Sequence, residues 1–278
     1  MRLLAMRIMM KIGSLVTPLV VSALLTGAAC QKQRPDTPGE PAPTMGAPAG
    51  PAAPAAPAAP APAAAAGPTG NATITGTVKL VGAPPEMALT KRQADPFCAK
   101  TPMKEEEVVV GAGGGLKNVV VRLTKGVTGH YDPPAASPTL DQTACMYRPR
   151  VQAVVAGQIL TIRNGDQTLH NVHGYRGPST LFNQAEIPGL PPITKKMADA
   201  ETVVKFKCDV HPWMTGYVVV SSHPFFAVTG DDGKYEISKV PPGSYTVEAW
   251  HERYGVKVGE VTVTAEKPAQ LAFQYESR

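Results

Sequence analysis

From residue 71 onward the chain is written largely in period two. Short apolar runs at 74–80, 116–123, 151–155, 159–163, 203–207 and 217–220 fit strands, and no stretch carries a convincing helical period. Turn signals separate them: Gly113-Gly-Gly115, Asp231-Asp-Gly233 and Pro241-Pro-Gly243. Many short strands at such spacing bury a core as sandwiches or barrels, so the expected class is all-β.

The residues before that point cannot share in the core. Arg2, Arg7 and Lys11 precede or border an apolar run at 12–25, followed by the small residues Thr26, Gly27, Ala28 and Ala29. This reads as an export leader over 1–29, too short for a comfortable membrane span. Residues 30–71 are dominated by Ala and Pro, with a Pro-Ala-Ala repeat and no apolar periodicity, and read as a disordered linker. In extended polyproline form, at roughly 3.1 Å per residue, such a tether reaches on the order of 100 Å.

Cys30 follows the small residues directly. This resembles the lipobox of bacterial lipoproteins, with Gly27 where Leu is usual. The resemblance implies lipid attachment at Cys30, and Gln31 implies sorting to the outer membrane; ordinary cleavage after Ala29 is the alternative. Either way the expected location is outside the cytoplasm, in the periplasm or cell envelope.

The formal net charge is +5, part of it in the leader, and the remaining Lys and Arg residues are scattered with no basic run. That is no nucleic-acid footprint. No nucleophile stands beside a base, and there is no phosphate loop and no paired carboxylates on one element, so the chain does not read as an enzyme.

The last third has a distinct pattern. The run 225–229 leads into the Asp231-Asp-Gly233 turn, Tyr235 and Ile237 alternate with polar residues, Pro241-Pro-Gly243 turns the chain, and Tyr245, Val247 and Ala249 alternate again. This resembles the carboxypeptidase regulatory-like (transthyretin-like) β-sandwich, whose T-x-D-x-x-G-x-Y strand is matched, one residue shorter, by Thr229 to Tyr235. The two strands that open that family's pattern are missing just before Phe225 but present as Gly76-Thr-Val78 and around 118–123. The expectation is one sandwich split into 72–139 and 222–278, with 140–221 inserted. Two consecutive domains are the alternative.

The inserted stretch carries the chemistry. Cys208, His211 and Met214 form Cys-x-x-His-x-x-Met at the end of the strand over 203–207. A thiolate, a thioether and imidazoles suit copper, and a thioether is a poor zinc ligand. Upstream, His170-Asn-Val-His173 follows the strand that ends at Asn164. Together these resemble the cupredoxins, the small blue copper proteins with a Greek-key sandwich, and among them the short-loop amicyanins. The resemblance implies one type 1 copper held by His170, Cys208, His211 and Met214, with His173 not a ligand. It implies that Asn171 braces the two ligand loops, and that Pro212 and Trp213 surround an exposed edge of His211 through which one electron passes. Asp209 departs from the family's usual Ser or Thr, and its carboxylate near the thiolate should favour Cu(II).

His130, His223 and His251 are isolated and read as structural or exposed. Cys98 and Cys145 are left over and, in an oxidising space, read as a disulfide; two free buried thiols are the alternative. The leading function is one-electron transfer with a redox protein partner, the membrane being reached through the lipid anchor. The alternative is a cell-envelope binding or adhesion module, for carbohydrate or protein, with structural or stored copper.

Overall fold

A computed structural model describes residues 67–278. The leader, Cys30 and nearly all of the linker lie outside the described residues. Among the described residues the only helical pieces are two 3-10 turns, Cys98–Lys100 and Ala112–Gly114. No helix there is long and apolar enough to cross a membrane.

The chain opens with β1 (Ala72–Val81) and β2 (Val120–Lys125). It then runs through β3 (Thr139–Thr143), β4 (Met146–Arg148), β5 (Val151–Val155), β6 (Ile159–Asn164), β7 (His170–Arg176), β8 (Ser179–Glu186), β9 (Ile193–Lys196), β10 (Thr202–Lys207) and β11 (Thr215–Ser221). It closes with β12 (Phe226–Val228), β13 (Lys234–Val240), β14 (Gly243–His251), β15 (Gly255–Val263), β16 (Ala269–Gln270) and β17 (Phe273–Glu276).

Both opening strands pair with closing ones. β1 lies antiparallel to β13 and parallel to β16 and β17, while β2 sits between β12 and β14, with β15 beyond. These two sheets enclose a core that includes Ile74, Val78, Leu116, Val121, Phe225, Val247 and Phe273. The regulatory-like motif residues hold it by identifiable bonds. Thr229 Oγ1 donates to the Leu116 carbonyl at 2.7 Å and accepts from the Val119 amide at 3.0 Å, joining the run before β2 to the end of β12. Gly233, at φ 70°, occupies the left-handed region, and a Cβ there would lie 2.3 Å from the Val78 carbonyl. Tyr235 donates to the Leu271 carbonyl and Tyr245 to the Pro241 carbonyl, so each ring packs inside while its hydroxyl fastens a turn. Thr229→Val should therefore lower unfolding stability by about 1–3 kcal/mol, because it strands the buried Val119 amide. A urea midpoint unchanged from wild type would contradict that bond.

Strands β3 to β11 form the second sandwich. One sheet has the order β5-β11-β10-β7-β8, the other β4-β3-β6-β9. Leu140, Val154, Leu160, Ile162, Val204, Phe206 and Val218 fill its core.

The two sandwiches meet sheet to sheet. Val120 of β2, Val151 of β5 and Val219 of β11 form a buried cluster, with Tyr217 and Trp250 packed beside it, ring centroids 5.4 Å apart. This explains two runs that break the alternation, Val119-Val-Val121 and Val218-Val-Val220. Each strand is covered on one face by its own core and on the other by the neighbouring sandwich, so both faces are apolar. Two ionic contacts cross the same interface. Arg150 meets Glu252 with both side chains buried. Arg122 reaches Glu248 within its own sandwich and Glu201 across the boundary at 2.8 Å.

Candidate metal centre

The ligand loops lie at one end of the second sandwich because β7 and β10 are antiparallel neighbours, with His173 opposite Lys207. His170 begins β7, Cys208 directly follows β10, and the turn 208–214 leads into β11. That turn closes on itself: the Met214 amide donates to the His211 carbonyl at 2.9 Å, and the Cys208 amide to the Met214 carbonyl at 3.3 Å.

Three of the four expected ligands converge directly. The Nδ1 atoms of His170 and His211 lie 2.9 Å apart, and Cys208 Sγ lies 3.7 Å from His211 Nδ1. Ligand atoms of these three residues all fall within 4.8 Å of one another, and all three are buried. Met214 is fully buried in the same apolar cluster as Cys208. Two imidazole nitrogens aimed at one point beside a thiolate, with a thioether in the same turn, are a donor set that fits copper. Burial alone would raise the Cys208 thiol, but hydrogen bonds from His170 and His211 and from backbone amides outweigh it and bring it down to about 6. The sulfur is therefore easily ionised, as a metal ligand must be.

Asn171 lies between the two ligand loops. Its backbone amide points at Cys208 Sγ at 3.5 Å, its side-chain oxygen accepts from the Asp209 amide at 2.6 Å, and its Nδ2 donates to Asp209 and Asn183. Asp209 turns its carboxylate outward to His173 Nδ1 at 2.9 Å, which accounts for His173 standing outside the ligand cluster. Of the isolated histidines, His130 is exposed beside Asp132, while His223 and His251 are buried in the fold.

Cys98 and Cys145 are bonded as a disulfide. Cys145 and Ala144 form the turn between β3 and β4, both in the left-handed region at φ 53° and 54°. Such a conformation costs these residues roughly 1–2 kcal/mol each. Asp166 offsets that by accepting from both of their amides, at 2.8 and 2.7 Å.

The exposed edge expected at His211 is not there. Its side chain is only 2% exposed. The segment between β1 and β2 crosses to this end of the second sandwich and lays Asp95 and Cys98 over the ring, with Asp95 Oδ2 3.0 Å from His211 Nε2. Trp213 leans on His211, ring centroids 5.1 Å apart, but its Nε1 donates to the Cys145 carbonyl and Arg92 lies over its face. Pro212 remains exposed. The physical reason is the disulfide, which draws residues from outside the inserted stretch onto the site.

Sequence reasoning missed Asp95, Arg92 and Asp166. Asp166 had a readable signal, four residues before His170 in a turn opened by Asn164. Asp95 had only its position three residues before Cys98.

Comparison with known proteins gives one family match and several matches among solved structures. A family model described as the carboxypeptidase regulatory-like domain matches residues 216–276. The matched span begins inside β11, which in the structure pairs with β5 and β10. Among solved structures, a purple cupredoxin from Nitrosopumilus maritimus is 24% identical and aligns over 31% of this chain and 100% of its own, with a TM-score of 0.28. Amicyanin from Paracoccus versutus is 19% identical over 36% of this chain and 97% of its own, with a TM-score of 0.29. No curated protein matches the chain. The chain is an all-β protein in which a sandwich whose closing part matches the carboxypeptidase regulatory-like domain is combined with a second β-sandwich.

Proposed function

We propose that the chain is an exported, lipid-tethered carrier of single electrons that binds one copper through His170, Cys208, His211 and Met214. One observation carries this reading: the buried convergence of both Nδ1 atoms on the Cys208 thiolate. Copper in such a site supplies a reversible one-electron change. The chain's own residues supply rigidity. Asn171 ties the Cys208 turn to β7, and the Tyr147 hydroxyl donates to the Asn171 and Lys207 carbonyls, so the two ligand-bearing strands are pinned side by side. A site held this firmly needs little rearrangement when charge changes. Catalysis is not part of this reading.

Cu(II) added to the purified protein should produce an intense visible thiolate-to-copper band, and Cys208→Ser should abolish it. A colourless protein that instead retains zinc tightly would end the copper assignment.

The burial of His211 favours a second reading, in which copper is structural or stored within a cell-envelope binding module. Exchange of electrons with a small soluble redox protein separates the two. A coloured protein that exchanges with none would support the second.

A further inference from the structure

We propose that Asp95 is a positioning residue for His211, so that the metal centre is completed by a segment of the chain outside the cupredoxin-like insert. This rests on the copper reading above, and its test is chosen to survive failure of that reading.

Asp95 is held from several sides. Its Oδ1 accepts from the Phe97 and Cys98 amides at 2.7 and 3.0 Å. Its Oδ2 accepts from Thr168 Oγ1 at 2.7 Å and lies 3.0 Å from His211 Nε2. Thr168 belongs to the loop that carries Asp166, whose Oδ2 lies 3.0 Å from His170 Nε2. Each imidazole thus presents Nδ1 to the common centre and Nε2 to a carboxylate.

The segment bearing Asp95 is itself fastened. Arg92 is 2% exposed and donates to the Thr101 and Ala144 carbonyls, and the Cys98–Cys145 disulfide ties it to the turn before β4. The Thr90 amide and hydroxyl both meet the Met103 carbonyl, closing the segment at its base.

The chemistry follows from the second partner of each ring. A carboxylate accepting from Nε2–H fixes the tautomer that leaves Nδ1 free to ligate and makes that nitrogen more basic. It also prevents the ring from turning outward without losing an ionic hydrogen bond. More basic ligands favour Cu(II) over Cu(I), so Asp95 should lower the reduction potential. Loss of such a partner typically weakens metal binding by about 10–100-fold.

The test uses the full chain with Asp95→Asn and Asp95→Ala, and Asp95→Glu as the conservative variant. In metal-free wild type, ¹⁵N NMR should show His211 as one tautomer, protonated at Nε2. In Asp95→Ala a tautomer mixture should appear, while His170 keeps its signature. With copper, Asp95→Asn should raise the potential and weaken binding by about 10–100-fold in a chelator competition, and Asp95→Glu should recover part of both. Wild-type tautomer, potential and affinity in Asp95→Asn and Asp95→Ala would overturn the proposal. If wild type bound no copper, the metal reading would fail, and the tautomer measurement on the metal-free protein would still decide the role of Asp95.

Discussion

Replacing Glu252 by Gln should cost about 3–5 kcal/mol of unfolding free energy, because it leaves the Arg150 guanidinium buried without its counter-ion. Arg150 lies just before β5 and Glu252 just after β14, so the pair spans the two sandwiches. The side chains are only 6% and 2% exposed, so water cannot replace the lost partner. Among the described residues the other hydrogen bond of the guanidinium is a long one, 3.5 Å, to the Thr215 carbonyl. Chemical denaturation should show more than a shifted midpoint. With the crossing pair broken, the single transition should separate into two, one for each sandwich. Arg150→Met combined with Glu252→Leu should regain much of the loss, since apolar groups of similar volume often replace a buried pair without penalty. A loss under about 1 kcal/mol for Glu252→Gln would place the pair among solvated surface bridges.

The second large effect is expected from the double change Cys98→Ser and Cys145→Ser. The bridge closes a sequence separation of 47 residues. By the chain-entropy account, opening a loop of that size releases about 4 kcal/mol of constraint on the unfolded chain. A local effect should accompany it. Cys98 Sγ lies 3.7 Å from His211 Nε2, and the bridge holds the Asp95 segment on the ring. Without it, His211 should become reactive to a histidine-modifying reagent such as diethyl pyrocarbonate in the metal-free protein, read by peptide mass spectrometry. Wild-type thermal stability together with wild-type protection of His211 would show that the segment stays in place without the bridge.

The parts of the site that were legible in the sequence share one property: they sit at strand ends whose order fixes their meeting. His170 opens one strand and Cys208 directly follows its antiparallel neighbour, so spacing along the chain becomes proximity in space. The regulatory-like motif was legible for a similar reason, since Thr229, Gly233, Tyr235 and Tyr245 each meet a local turn or a paired strand. Asp95 has neither advantage. It lies in the long stretch between β1 and β2, where no period marks an element, and nothing local says which end of which sandwich that stretch will cover. The exposed edge expected at His211 failed for the same reason. It came from motifs within the inserted stretch 140–221, and the covering residues lie outside it. The valine runs 119–121 and 218–220 signal strands covered on both faces, but the sequence does not say that they cover each other.

The interleaved pairing has a consequence for the order in which the molecule can assemble during synthesis. Val78 in β1 pairs with Phe273, and Ile74 with Ile237 and Ala269. A chain emerging from its N-terminus therefore carries β1 and β2 with open edges while the whole inserted sandwich is made. The ligand-bearing module can close its own sheets first, because among the described residues β3 to β11 pair with one another alone. Contacts this distant in sequence form slowly, and open strand edges invite pairing with other chains in the meantime. The inserted module offers a remedy: once closed, its valine face can receive Val120 of β2 and hold that strand until β12 and β14 arrive.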